Sequence, residues 1–136
     1  MRKGAGRSVR VSDLVIAPVR ASPVDLEAID PVIEICRDLG KPFLFVMSAY
    51  DSRWKLSESA YPYLEQKAPG HTLEELFSYR QAYVGSMIGG ATGPEYKDRK
   101  QAAEAEAEID TLWRRIRKHV LAAVGHGKYE NKKVGA

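Results

Sequence analysis

The sequence predicts an α/β fold in which a short parallel sheet is flanked by helices. Three observations carry that expectation. Two runs, residues 13–19 and 41–47, are apolar without alternation, the pattern of strands buried on both faces of a parallel sheet. A helix with a wide apolar stripe lies between them, which makes a strand–helix–strand unit. A longer amphipathic helix near the C-terminus is placed to pack on the sheet and close the domain.

Residues 1–11 read as a flexible basic lead-in rich in Gly and Arg. The first strand, 13–19, is β-branched and ends near Pro18. Ser22 can then cap a helix, Pro23 suits its first position, and Asp25 completes a capping box. The helix that follows carries Leu26, Ile29, Ile33 and Cys36 on one stripe, with Val32, Ile35 and Leu39 beside it. Pro31 costs about 3 kcal/mol inside a regular helix, so a kink or restart is expected there. Gly40 is placed to end the helix in the left-handed conformation. Cys36 falls on the buried stripe, which points to a packing role.

After the second strand, residues 50–55 form a polar loop leading into a helix over 56–66, with Pro62 in its middle and a break at Pro69 and Gly70. The stretch 72–90 admits two readings from the residues. In one, Leu73, Leu76, Phe77, Val84, Met87 and Ile88 share a helical face behind a Thr72/Glu75 capping box. In the other, residues 76–79 are a short strand and a helix starts near Arg80. A Gly-rich break at 89–94 precedes the clearest helix, about 98–120, striped by Ala102, Ala105, Ile109, Leu112, Trp113, Ile116 and Val120. Its acids lie toward the N-terminus and its bases toward the C-terminus, in accord with the macrodipole, and Asp110 with Arg114 adds an i,i+4 pair.

The 136 residues suit one domain, and 44% hydrophobic with 29% charged residues excludes wholesale disorder. The longest apolar stretch, 43–47, is too short to cross a bilayer, and no apolar segment follows the basic N-terminus as a secretory signal would require. A single cysteine excludes an intramolecular disulfide framework and a Cys-rich zinc site. The net charge of +3 is too small to argue nucleic-acid binding, although bases concentrate at both ends of the chain. No G-x-x-x-x-G-K-[ST] phosphate loop occurs, Gly4 and Gly6 precede the first strand instead of following one, and His71, His119 and His126 have no partners at metal-ligand spacing. No nucleophile elbow is present.

Several motifs nonetheless occur in a familiar order. Residues 11–19 followed by 22–28, then 42–47 with 50–53, then 78–83, then 93–96 and the Ala-rich helix carrying Leu112 and Trp113, together resemble the C-terminal portion of ParA-type partition ATPases, the deviant-Walker ParA/MinD family. The resemblance covers about residues 9–120. It implies a partial P-loop-NTPase-like three-layer fold, with residues 12–122 as the C-terminal part of the ATPase domain and 123–136 as a flexible tail. It also favours the short strand near 76–79 and the helix from Arg80. In this family ATP and magnesium drive a sandwich dimer that binds DNA non-specifically, and a ParB-like protein stimulates hydrolysis. The family's phosphate loop, signature lysine and switch aspartates would lie upstream of Met1, so the expectation is a truncated or split protein. No cofactor, and no ATP hydrolysis, is expected of this chain alone.

The resemblance assigns residues as well. Arg80 matches an arginine at a helix start that helps bind DNA, and Arg53, Lys55, Lys67 and the tail bases would enlarge that patch. Ser48 to Asp51 occupies one position where the family's fold approaches the nucleotide base, and Ser78 with Tyr79 occupies the second; many relatives carry Asn near Ser48. From residue type alone, Asp51 also suits a cap for the next helix. The implied partners are non-specific DNA, a ParB-like protein, and a second copy or a full-length ParA-type chain, with no membrane. The implied location is cytoplasmic and nucleoid-associated. Two alternatives belong to other classes: a stand-alone interaction module that regulates a full-length ParA-type ATPase, and a small basic DNA-binding protein without ATPase ancestry.

Overall fold

The computed structural model describes residues 3–125. Its centre is a strand with no polar face. Phe43–Ser48 (β2) is buried from Phe43 through Met47, and it pairs in parallel with Val15–Arg20 (β1) in the register Val15↔Phe43 to Arg20↔Ser48. The chain is therefore α/β, with a two-stranded parallel sheet and helices on both faces.

Alternation along β2 sorts its side chains into two cores. Phe43, Phe45 and Met47 pack with Val19, Leu26, Ile29, Ile33, Cys36 and Leu64. These partners come from β1 and from three helices: Pro23–Glu27 (α2), Ile29–Asp38 (α3) and Lys55–Lys67 (α4). On the opposite face Leu44 and Val46 pack with Leu73, Leu112 and Ile116, the last two from the long helix Arg99–Val124 (α6).

Local chemistry sets the boundaries. Ser22 Oγ accepts the Asp25 N–H, and Pro23 opens α2. Only half of the expected capping box forms, because the Asp25 carboxylate turns to the Arg20 backbone N–H and guanidinium instead. The helix restarts at Ala28, so Pro31 falls in the first turn of α3, where its missing N–H has no intrahelical partner to lose. At the other end Gly40 takes φ +61°, Gly40 N–H donates to the Arg37 carbonyl and Lys41 N–H to that of Cys36, a Schellman closure that needs the left-handed residue. Cys36 is fully buried. Helix α4 continues unbroken through Pro62, an exposed residue.

A third extended segment lies along the other edge of β2. Phe45 N–H donates to His71 O, Leu73 N–H to Phe45 O, Phe77 N–H to Met47 O, and Tyr79 N–H to Tyr50 O. Both bridges, Phe45↔Thr72 and Tyr50↔Ser78, are parallel. Four residues on this segment span two on β2, so Glu74 and Glu75 bulge out of the ladder. Helix Gln81–Ile88 (α5) follows, and a 3-10 turn at Gly93–Glu95 leads to α6. In place of the expected short strand at 76–79 there is an extended segment joined by isolated bridges; the helix after Arg80 forms, and the single helix over 72–90 does not.

Four expectations need correction. The lead-in at 1–11 is largely helical: Lys3–Val11 (α1) packs Val9 against the larger core. Trp113, expected on the buried stripe of α6, is 57% exposed, since neighbouring Leu112 already takes the sheet-facing position. Arg114 donates to the Asp110 backbone carbonyl and does not pair with its carboxylate. The tail expected to be flexible is helical to Val124 in α6, and its remainder from 126 lies outside the described residues.

Leu64 is fully buried between α4 and β2, so Leu64→Ala is expected to cost about 2–5 kcal/mol, read as a lowered urea midpoint with an unchanged slope.

Candidate functional site

Parallel strands end on the same side, and the C-terminal ends of β1, β2 and the third segment gather the chemically distinctive side chains at one edge. β2 ends at Ser48, and Ala49 adopts φ +51°, a left-handed turn unusual for a residue with a Cβ. That turn lets Tyr50 N–H reach the Phe77 carbonyl at 3.0 Å and carries the chain to Asp51. Ser48, Asp51, Ser78 and Tyr79, the four residues expected near a nucleotide base, are brought together here.

Beside them lies a groove of ≈ 480 Å³ lined by Arg20, Ser22, Val24, Ala49, Trp54 and Tyr79. Val24, Trp54 and Tyr79 are 76%, 56% and 60% exposed, an apolar surface that side chains of this size usually avoid unless something covers it. Trp54 was not singled out from the sequence. Its signal was weak, because a lone Trp in a polar loop resembles any other loop residue.

Asp51 does not cap α4, whose N-cap is Trp54. Its carboxylate accepts the Arg53 backbone N–H at 3.0 Å and holds the guanidinium in a two-pronged pair, with Nη2 at 2.6 Å. Hydrogen bonds from Arg53 bring the Asp51 carboxyl down to about 2.

Arg80 sits at the N-cap of α5 but is not free. Its Nη1 donates to Glu104 at 2.9 Å and its Nη2 to Glu108 at 3.1 Å. Glu108 is the hub: it also accepts the Ser78 backbone N–H at 2.9 Å and the Tyr83 hydroxyl at 2.9 Å. Burial pushes Glu108 up, but the Ser78 N–H, Arg80 and Tyr83 together hold it below the ordinary carboxylate range. Tyr83 is in turn raised, first by burial and then by its hydrogen bond to Glu108 and the Glu108 charge. Gly93 allows this packing, since a Cβ there would lie 2.7 Å from the Tyr83 ring. Glu104 and Glu108 were not foreseen as partners of Arg80; an attraction across 24 and 28 residues leaves no local spacing to recognise.

The remaining cations divide. Lys55 opens α4, is exposed, and has no ion-pair partner among the described residues. Lys67 lies at the far end of the same helix, roughly 18 Å along its axis from Lys55, and pairs with Asp30 at 3.1 Å. The expected patch therefore brings Arg53, Lys55 and Arg80 to the C-terminal side of the sheet and leaves Lys67 apart. Among the described residues no group of three or more His, Cys, Asp and Glu side chains is placed to hold a metal ion. No helix among them is long and apolar enough to cross a membrane.

No family model matches the chain, and no curated protein matches its sequence.

Glu108→Gln keeps the shape and removes the charge that binds Arg80, so a loss of about 1–3 kcal/mol is expected at neutral pH. A carboxyl held low in the folded state contributes stability that is complete above its unfolded value, about 4.3, and is lost as pH falls through the folded value. Urea melts at pH 7 and pH 3 should therefore show a smaller acid-side loss for the variant than for the parent chain.

Proposed function

We propose that this chain is the DNA- and dimer-contacting portion of a ParA-type partition protein, with a P-loop-NTPase-like arrangement of its elements. One observation carries this: parallel segments in the order expected from the motifs gather Ser48, Asp51, Ser78 and Tyr79 at one edge, with Arg80 at the start of the next helix. The apolar groove with Trp54 and Tyr79 at the same edge supplies the kind of surface a second copy would cover.

DNA binding in this scheme is electrostatic. Lys55 and Arg53 are exposed, and Arg53 keeps 82% of its side chain in solvent while paired. Arg80 has one deep partner, Glu108, and one at the surface, Glu104, whose side chain is 45% exposed. A backbone phosphate replaces Glu104 as the outer partner of the guanidinium, while Glu108 keeps it oriented. Since the sequence has no phosphate loop, ATP with magnesium gives no binding heat to this chain alone.

The test is a gel shift with two duplexes of unrelated sequence. Both should be retarded at about 50 mM salt and released by about 200 mM. Arg80→Ala should weaken binding about tenfold, and Glu104→Ala, which removes a competing anion, should strengthen it severalfold. No shift at low salt, or binding of one duplex alone, overturns the proposal.

A further inference from the structure

A second cleft, of ≈ 270 Å³, opens between α4 and the bulged third segment and shares no lining residue with the groove at the strand ends. Its apolar floor is Met47 and Leu76, and two aromatic residues, Tyr50 and Tyr61, line it. The other lining residues are Ser57, Glu58 and Glu74, so the cleft carries two carboxylates and no basic side chain. Glu58 and Glu74 are both exposed, and neither has an ion-pair partner among the described residues.

Ser57 adds an independent sign. It is 1% exposed, and its hydroxyl is buried with no hydrogen-bond partner. Buried polar atoms in folded proteins are almost always paired, and an orphaned one at a cleft invites a ligand donor. The carboxylate field reaches the cleft's aromatic wall as well: burial first, then the charges of Glu65, Glu74 and Glu75, push the Tyr61 phenol up.

We infer that this cleft binds the ammonium head of an aliphatic amine. An ammonium brings three N–H donors, which match the Ser57 hydroxyl and the Glu58 and Glu74 carboxylates. The Tyr50 and Tyr61 rings favour a cation close by, and the Met47 and Leu76 floor takes the first carbons of its chain. A bare divalent cation fits less well, since most of the lining is apolar and metals of this charge demand oxygen ligands. The inference is independent of the partition reading, since it uses neither DNA nor the strand-end groove.

The test is an amide NMR titration of the full chain with n-butylammonium, with n-butanol as the neutral control of like shape. Saturable shifts at Ser57, Glu58, Tyr61 and Glu74 are expected with the amine and none with the alcohol. The double substitution Glu58→Gln and Glu74→Gln should raise the dissociation constant at least about tenfold, with the amide dispersion of a folded chain retained. Ser57→Ala should weaken the amine while leaving the urea midpoint unchanged or higher, because it removes an unpaired hydroxyl. Equal shifts with butanol, tighter saturation by magnesium than by the amine, or no saturable shift overturns the inference.

Discussion

Everything in this molecule is arranged around a strand that has no face to offer to water. From Phe43 to Met47 every side chain is buried, and the backbone is paired on both edges. A strand of that kind is stable only when covered twice, so α2, α3 and α4 pack on one side and α6 on the other. The alternation is strict: a register slip of one residue would send Phe43, Phe45 and Met47 to the side built for Leu44 and Val46. The location of the candidate site is a consequence. Because its neighbours run parallel to β2, their C-terminal ends converge, and the loops that leave them must share one edge.

Glu108 converts that convergence into a fixed geometry. α6 packs on one face of the sheet, and it meets the third segment through a largely buried carboxylate with partners from the Ser78 backbone, Arg80 and Tyr83. The desolvation cost of such a carboxylate is offset only while those donors stay in place. The guanidinium of Arg80 is therefore held as part of the fold before it can serve as part of a binding surface. In the proposed DNA-binding reading this matters, because a side chain already ordered by Glu108 loses less entropy on meeting a phosphate than a free surface arginine would.

The elements legible in the sequence are those fixed by neighbours along the chain. Ser22 and Pro23, the restart near Pro31 and the Gly40 stop act within one helical turn, and β2 announces itself as an unbroken apolar run. The third segment is different. Its bulge at Glu74 and Glu75 sets Leu73, Leu76 and Phe77 at spacings of three and four, which mimic a helical face, so periodicity favours the wrong element and only the order of motifs points to a strand. Helix α1 was hidden by Gly4 and Gly6, poor helix formers whose segment gains from packing Val9 on the core. Among the candidate residues, types were legible and pairings were not: Asp30 with Lys67, away from the site, and Glu108 with Arg80, within it, meet only after the chain has folded.

The outer edge of β1 shows how the sheet tolerates an end. Val15 N–H donates to Pro42 O, so odd residues of β1 face β2 and even residues face outward. Pro18 has no N–H to present, and the Arg20 N–H is taken by Asp25. Of positions 16, 18 and 20, only Ile16 offers a donor, and an edge so blunted resists pairing with another chain. Any strand laid beside it would forfeit a rung of the ladder at Pro18. Association at this edge would have to draw on burial of Ile16, which is 42% exposed, more than on backbone hydrogen bonds. A partner that completes the sheet must therefore bring an apolar cover for this face, and backbone complementarity alone will not hold it.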